Sequence, residues 1–223
     1  MKEKILSCEN LTINYKNHTV VNDLSFSVEK GDFFLVLGKN GIGKSTLLRG
    51  ILGLKSINFG NIIKNFKTCG YISQEILLKK NFPSTIWEFV LSARAIHSNI
   101  FYNAKDMKLV EENLKLLNLW ELKDKSINSL SVGQLQRAVI CRCLCVSDEI
   151  IFLDEPTNSL DISVKEMLYE ILEKLNKNGL TIFMISHDKE VFKFANKALL
   201  LGNDIRIIEN VSDKFEKGEI KFD

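Results

Sequence analysis

The run Phe33-Phe34-Leu35-Val36-Leu37-Gly38-Lys39-Asn40-Gly41-Ile42-Gly43-Lys44-Ser45-Thr46-Leu47-Leu48 decides the fold. Its first five residues are apolar without a break, the mark of a strand buried on both faces. Three glycines in the next six residues demand a tight turn. From residue 44 to 54 the spacing becomes helical, with Leu47, Leu48, Ile51 and Leu54 on one side. The order is strand, glycine turn, helix.

Upstream of this unit the pattern alternates: Ile5, Leu11 and Ile13 lie in one extended region, and Leu24, Phe26 and Val28 share a face. Downstream, residues 83–145 change to helix after helix, carried by Ile86, Phe89, Val90 and Ala93, then Val110, Leu114 and Leu117, then Leu135, Val139 and Cys143. Strand signal returns at residues 150–153, 181–185 and 198–201. Strand segments flanking a helical block predict an α/β core interrupted by a helical insertion. Both prolines, Pro83 and Pro156, fall at element boundaries. Beyond His187 the pattern predicts a strand or two and a solvated charged end over residues 214–223.

With 223 residues, 45% hydrophobic and 26% charged, the chain is an ordinary globular protein able to bury about 70% of its unfolded surface. That excludes a mainly disordered chain, a collagen and a coiled-coil rod. Thirty Lys+Arg against 28 Asp+Glu leave +2, so bulk charge demands neither nucleic acid nor an anionic membrane. No apolar run approaches the roughly 18 residues of a membrane span, and Met1-Lys2-Glu3-Lys4 leads into alternation rather than a signal-peptide block. A cytoplasmic chain is expected. Cys8 and Cys69 are isolated, and Cys141, Cys143 and Cys145 fall at i, i+2, i+4 of a helix, which turns the middle one away from the others. We read them as packing residues in a reducing compartment rather than metal ligands.

Gly38-x-x-x-x-Gly43-Lys44-Ser45 fits the phosphate-loop pattern and has the strand before and helix after that the pattern requires. Glycines let the backbone wrap phosphate oxygens, with the amides of residues 41–46 pointing inward at the positive end of a helix dipole. Lys44 is placed for the β- and γ-phosphates and Ser45 for Mg²⁺. About 110 residues on, Ile150-Ile151-Phe152-Leu153 ends in Asp154-Glu155-Pro156. A buried strand carries its terminal carboxylates to the sheet edge, beside the phosphate loop if the two strands are neighbours. There Asp154 would hold Mg²⁺ through water and Glu155 would act as general base on an attacking water.

Leu130-Ser131-Val132-Gly133-Gln134 ahead of Leu135-Gln136-Arg137, then Asp154-Glu155-Pro156-Thr157, Ser159-Leu160-Asp161 and Ser186-His187-Asp188 resemble, in order, the motifs of the ATP-binding cassette family of transport ATPases. The resemblance covers essentially the whole chain. It implies a P-loop NTPase core of the α/β class, a mixed sheet with an antiparallel β subdomain, and an inserted all-helical subdomain. By it, Tyr15 stacks on adenine, and Gly38, Lys39, Asn40, Gly41, Ile42, Gly43, Lys44, Ser45 and Thr46 hold the phosphates. Gln74 senses Mg²⁺ and the attacking water, and His187 switches on the γ-phosphate. Ser131, Gly133 and Gln134 contact nucleotide bound by the opposite subunit, and Asp161 crosses the same dimer interface. Val132 stands where the family usually has glycine, tolerable in helical or extended backbone and costly at positive φ.

The phosphate loop and the signature residues, on different lobes, cannot reach one γ-phosphate in cis, so the resemblance implies a head-to-tail homodimer sandwiching two ATP molecules. It further implies a separate membrane permease, docked on the helical block near Ile76-Leu77-Leu78 and Phe82-Pro83, with a solute-binding protein in the same system. The chain would then sit on the inner face of the membrane. The wording of Gly70-Tyr71-Ile72-Ser73-Gln74 and of residues 82–94 resembles ATPases of zinc and manganese importers. Metal import is therefore expected first; the alternatives are another small solute, an exporter, or a non-transport ATPase. Nucleic acid is not expected. The expected layout is one nucleotide-binding domain, with residues 1–74 and 146–223 as its ATP-binding core and 75–145 as its helical subdomain.

Overall fold

The computed structural model describes residues 2–15, 18–74, 83–96, 102–158, 160–202 and 205–218. Ile76, Leu77, Leu78 and Phe82, expected at a permease surface, and Ser159 lie outside the described residues, as do residues 219–223.

Two sheets organise the described chain. β1 (Lys4–Tyr15), β2 (His18–Glu29) and β4 (Phe59–Lys64) form an antiparallel sheet in the order β2-β1-β4. The larger sheet runs β5 (Gly70–Ile72), β6 (Ile150–Asp154), β7 (Thr181–Ile185), β3 (Phe33–Leu37), β8 (Lys197–Leu200) and β9 (Arg206–Glu209). It is parallel except for β9. Between β3 and β4 lies α1 (Lys44–Leu52), and between β5 and β6 lie α2 (Ile86–Leu91), α3 (Ala104–Leu116) and α4 (Val132–Val146). Helices α5 (Ile162–Lys177) and α6 (Val211–Glu216) follow.

The unbroken apolar strands are explained by cover on both faces. Leu35, Ile151, Leu153, Ile182 and Met184 point into a core shared with α2–α5, while Phe34, Val36, Phe152 and Phe183 point into one shared with α1 and the antiparallel sheet. On the second face Phe26, Phe34, Phe183 and Phe152 form a row with successive ring centroids 5.5, 5.4 and 5.4 Å apart. Each such ring, once buried, contributes roughly 1.5–3 kcal/mol relative to solvent exposure.

The structure corrects several boundaries. α1 stops at Leu52 because Gly53 takes the left-handed conformation and caps it, so Leu54 is exposed instead of joining Leu47, Leu48 and Ile51. In α4 the buried face is Ala138, Ile140, Cys141 and Cys145 together with Cys143; Leu135 and Val139 are only partly covered. Residues 214–216 are not a solvated tail. They belong to α6, whose Phe215 meets Phe192 edge-on at 5.3 Å.

The cysteines pack as the helical spacing implies. Cys143 Sγ donates to Tyr71 O on one side of α4 at 3.5 Å, while Cys145 accepts from Asn113 Nδ2 on the α3 side at 3.7 Å. All five thiols are free. Burial pushes the Cys8 and Cys143 thiols up to about 12, so they stay neutral at physiological pH.

Candidate functional site

The carboxyl ends of β3, β6 and β7 open on one edge of the large sheet, where an open α/β sheet binds its ligand. The chain leaves β3 through residues 38–43 and enters α1. Gly43, at φ +112°, ends the turn, and a Cβ there would come within 1.9 Å of the Val20 side chain on β2. Gly38, at φ +147°, lies so close to Leu201 O that a Cβ would approach it to 2.5 Å. Both positions are closed to side chains by backbone angle and by space.

Helices α2, α3, α4 and α5 each begin on a side-chain cap, from Thr85, Asn103, Ser131 and Asp161. α1 begins on Gly43 with no side-chain cap and no acid in its first turn. Its leading amides are left for a ligand at the positive end of the helix dipole. Lys44 folds back inside the loop, its Nζ donating to Gly38 O at 2.8 Å and Lys39 O at 3.1 Å.

β3 and β6 are not neighbours, because β7 lies between them. The acidic pair still reaches the loop because α1 packs over the sheet edge: Ser45 Oγ donates to Asp154 Oδ1 at 3.0 Å. Asp154 is 1% exposed and Glu155 9%. Burial raises the Asp154 carboxyl above the usual range, against the opposing hydrogen bond from Ser45. Burial likewise lowers the Lys44 ammonium, against the pull of Glu155 and Asp154. Both charges are thus short of solvation, the condition of groups built to be completed by a charged ligand.

Glu155 sits at φ +49°, a left-handed conformation costing roughly 1–3 kcal/mol for a side-chain-bearing residue. Pro156 disfavours right-handed helical backbone at the preceding residue. Two backbone bonds hold the turn, Glu155 N–H to Ile185 O at 3.0 Å and Asn158 N–H to Glu155 O at 3.2 Å. The Glu155 carboxylate accepts from Asn158 Nδ2 and lies 3.6 Å from His187 Nδ1 through the same oxygen, Oε2.

These groups share a cavity of about 450 Å³, walled by Asn40, Gly41 and residues 43–46 of the loop with Gln74, Glu155, Asn158 and His187, whereas Gly38, Lys39 and Ile42 line a neighbouring one. A larger cavity of about 630 Å³ lies across residues 38–42, floored by Leu37, Phe192 and Leu200; Lys44, Ser45 and Glu155 do not line it. Lys44, Ser45 and Glu155 therefore face the smaller one.

Other expected residues stand apart. Tyr15 is half-exposed at the end of β1, with Lys55 Nζ 5.2 Å from its ring centroid, and does not line the cavity. Ser131 caps α4, and with Gln134 it forms a reciprocal pair: Gln134 N–H to Ser131 Oγ at 3.3 Å, Ser131 N–H to Gln134 Oε1 at 3.0 Å. Gly133 faces Val164, which a Cβ would approach to 3.2 Å. Asp161 caps α5 through Val164 N–H at 2.9 Å. Val132 is the first residue of α4, has helical backbone and is 64% exposed, so its branched side chain is unstrained.

Asn158, Val20 and Gln136 were not singled out from the sequence. Gln136 Nε2 donates to Pro156 O at 2.9 Å, tying α4 to the turn after Glu155. The one sequence signal was that Asn158 follows Glu155 by three residues across a proline, the spacing of a turn closed on itself.

Residues 21–158 match the family described as ABC transporter. The manganese transport system ATP-binding protein MntB of Halalkalibacterium halodurans is 31% identical over 222 residues, covering 95% of this chain and 88% of that one. The zinc transport system ATP-binding protein AdcC of Streptococcus pneumoniae is 33% identical over 201 residues, 85% of this chain and 86% of that one. Among solved structures, a metal-chelate type ABC transporter in an inward-facing conformation matches with a TM-score of 0.83 at 33% identity, over 93% of this chain and 83% of that one. The dimeric bacterial cassette MJ0796 matches at 0.76 with 26% identity, over 92% of this chain and 98% of that one. The chain belongs to the ABC transporter family, as an ATP-binding subunit and an ATPase.

Proposed function

We propose that this subunit hydrolyses Mg²⁺-ATP in the cavity of about 450 Å³ and drives metal-ion import through a separate membrane permease. The observation that carries the catalytic reading is the Ser45–Asp154 hydrogen bond, which joins the 40–46 loop to the acidic strand end within one site. The 41–46 amides and Lys44 bind the β- and γ-phosphates. Glu155 takes the proton as water attacks the γ-phosphorus and the bond to the β-phosphate oxygen breaks. His187 donates to the γ-phosphate, and Gln74 orients the water.

A hydroxyl and a buried carboxylate 3.0 Å apart are hard oxygen donors that fit Mg²⁺. Bound there with the nucleotide, the metal supplies charge neutralisation on the phosphates. Tyr15 would stack on adenine once Lys55 and ring accommodate it. Ser131, Gly133, Gln134 and Asp161 stand away from the cavity of their own chain, which supports their use on the nucleotide of a second copy in a head-to-tail dimer. Residues 1–74 and 146–223 then act as the ATP-binding core and 75–145 as the helical subdomain that meets the permease on the inner membrane face.

The cargo reading rests on the relatives named for manganese and zinc transport. It implies a solute-binding protein in the same system. Purification of the chain with its permease and solute-binding protein, followed by metal analysis of the latter, tests it. Zinc or manganese at one ion per binding protein supports it, and an organic solute with no metal overturns it. ATP hydrolysis by the purified chain that persists in excess EDTA would overturn the Mg²⁺ role.

A further inference from the structure

We propose that Asn158 is the positioning residue for the Glu155 carboxylate, deciding which oxygen is presented to the attacking water. The inference rests on the reading of Glu155 as general base and goes one step further, to what aims it.

The argument starts from the side-chain amide. Asn158 Nδ2 donates to Glu155 Oε2, and an amide facing an ionised carboxylate has to present its nitrogen. His187 Nδ1 faces that same oxygen at 3.6 Å. Asn158 therefore holds Oε2, with His187 beside it beyond hydrogen-bond distance, and Oε1 carries no hydrogen bond among the described residues. A carboxylate on a two-carbon stem can turn about its last bond and exchange its oxygens unless one of them is pinned. Pinning Oε2 leaves Oε1 as the proton acceptor, inside a cavity that Glu155 and Asn158 both line.

The backbone makes the pin stiff. Glu155 is held at φ +49°, and Asn158 N–H closes the turn onto Glu155 O at 3.2 Å. Asn and Asp in such turns ordinarily accept a backbone N–H with the side-chain oxygen. Here the amide instead spends its donor on a neighbouring carboxylate three residues back.

Asn158 also has a second exposure. A groove of about 240 Å³ runs between Ser73 and Gln74, the start of α4 at Val132, and the turn at Pro156 and Leu160. Gln74 and Asn158 line both this groove and the ATP cavity. With Gln136 tying α4 to Pro156 O, the pin on Glu155 is anchored to the helix that Ser131 caps. A shift of α4 is then felt at the base through one turn of chain.

The test is steady-state ATP hydrolysis by the full chain carrying Asn158→Ala, Asn158→Asp, Glu155→Gln and Asn158→Ala with Glu155→Gln. Asn158→Ala should lower kcat roughly tenfold or more while KM for ATP stays within about twofold, since misaiming a reacting group costs rate rather than binding. Asn158→Asp keeps the shape but replaces the donor with a second carboxylate, so its loss should exceed that of Asn158→Ala. A packing role predicts the reverse order. In the Glu155→Gln background, Asn158→Ala should remove nothing further. Equal kcat in parent and Asn158→Ala, or the same proportional loss with and without Glu155→Gln, overturns the proposal. Parental turnover by Glu155→Gln would instead remove the general-base reading on which it rests.

Discussion

Ser45 and Asp154, 109 positions apart in the chain, meet at 3.0 Å across the carboxyl edge of a sheet in which β3, which leads into the loop before Ser45, and β6, which ends in Asp154, do not touch. The contact is made by α1 packing against β6, not by pairing of β3 with β6. It puts a hydroxyl from a helix start against a carboxylate that is 1% exposed.

That burial has a measurable cost in the ligand-free protein. Asp154 has its folded pKa raised, so its contribution to stability is full below the ordinary carboxylate range and is lost as pH rises through the raised value. Above that value the ionised carboxylate is a burden. Asp154→Asn should therefore raise Tm of the nucleotide-free chain at pH 7–8, with the advantage shrinking toward pH 4, while Mg²⁺-ATPase activity disappears. Thermal melts across pH check it; a lower Tm than parent at pH 7 contradicts it.

Lys44 supplies the positive charge within the loop, its Nζ parked on two carbonyls that a phosphate oxygen can replace. Lys44→Ala should abolish tight nucleotide binding and leave the far-UV circular dichroism unchanged. Isothermal titration with Mg²⁺-ATP measures it, and retained micromolar affinity refutes the assignment.

Glu155→Gln keeps shape and turn but removes the carboxylate we propose as the proton acceptor. ATP should bind and turnover should fall by at least about a hundredfold, leaving a closed dimer that elutes early in size-exclusion chromatography with ATP. A variant that stays monomeric at high concentration and still hydrolyses ATP goes against this.

Val132 occupies the first turn of α4 with its side chain outward. Val132→Gly should change ATPase activity by less than about threefold and lower stability by less than roughly 1 kcal/mol, the scale of a glycine in a helix. A large gain in activity would show that the native residue impairs the site.

Gly43 has neither the backbone angle nor the space for a side chain, with Val20 in the way. Gly43→Ala should destabilise the chain and weaken nucleotide binding together. Adding Val20→Ala should recover part of the stability by opening the space, though not the strain of φ +112°. Denaturant midpoints for the parent chain and the two variants separate the two contributions.

Much of the fold was readable because its signals are local. An unbroken apolar run such as 33–37 or 150–153 needs cover on both faces wherever it lies, and glycines at 38, 41 and 43 admit few chain paths. The order of motifs from Gly38 to His187 likewise names the chemistry without any contact being known. Helix α4 was legible as a helix, and of its Leu135, Val139 and Cys143 row the last is buried and the others pack partly covered against the core; that Ala138 and Ile140 are the more deeply covered was not legible, because only the neighbours choose between apolar residues.

From its own residues the chain dictates the strand-turn-helix unit, the carboxylates at the end of β6 and the helical block between β5 and β6, since periodicity and turn chemistry act over a few positions. Folding in three dimensions alone settles that β7 separates β3 from β6, that Glu155 turns left-handed before Pro156, and that Asn158 and His187 share one of its oxygens. Strand order and side-chain aim follow from packing between segments a hundred residues apart, and no local pattern carries that information.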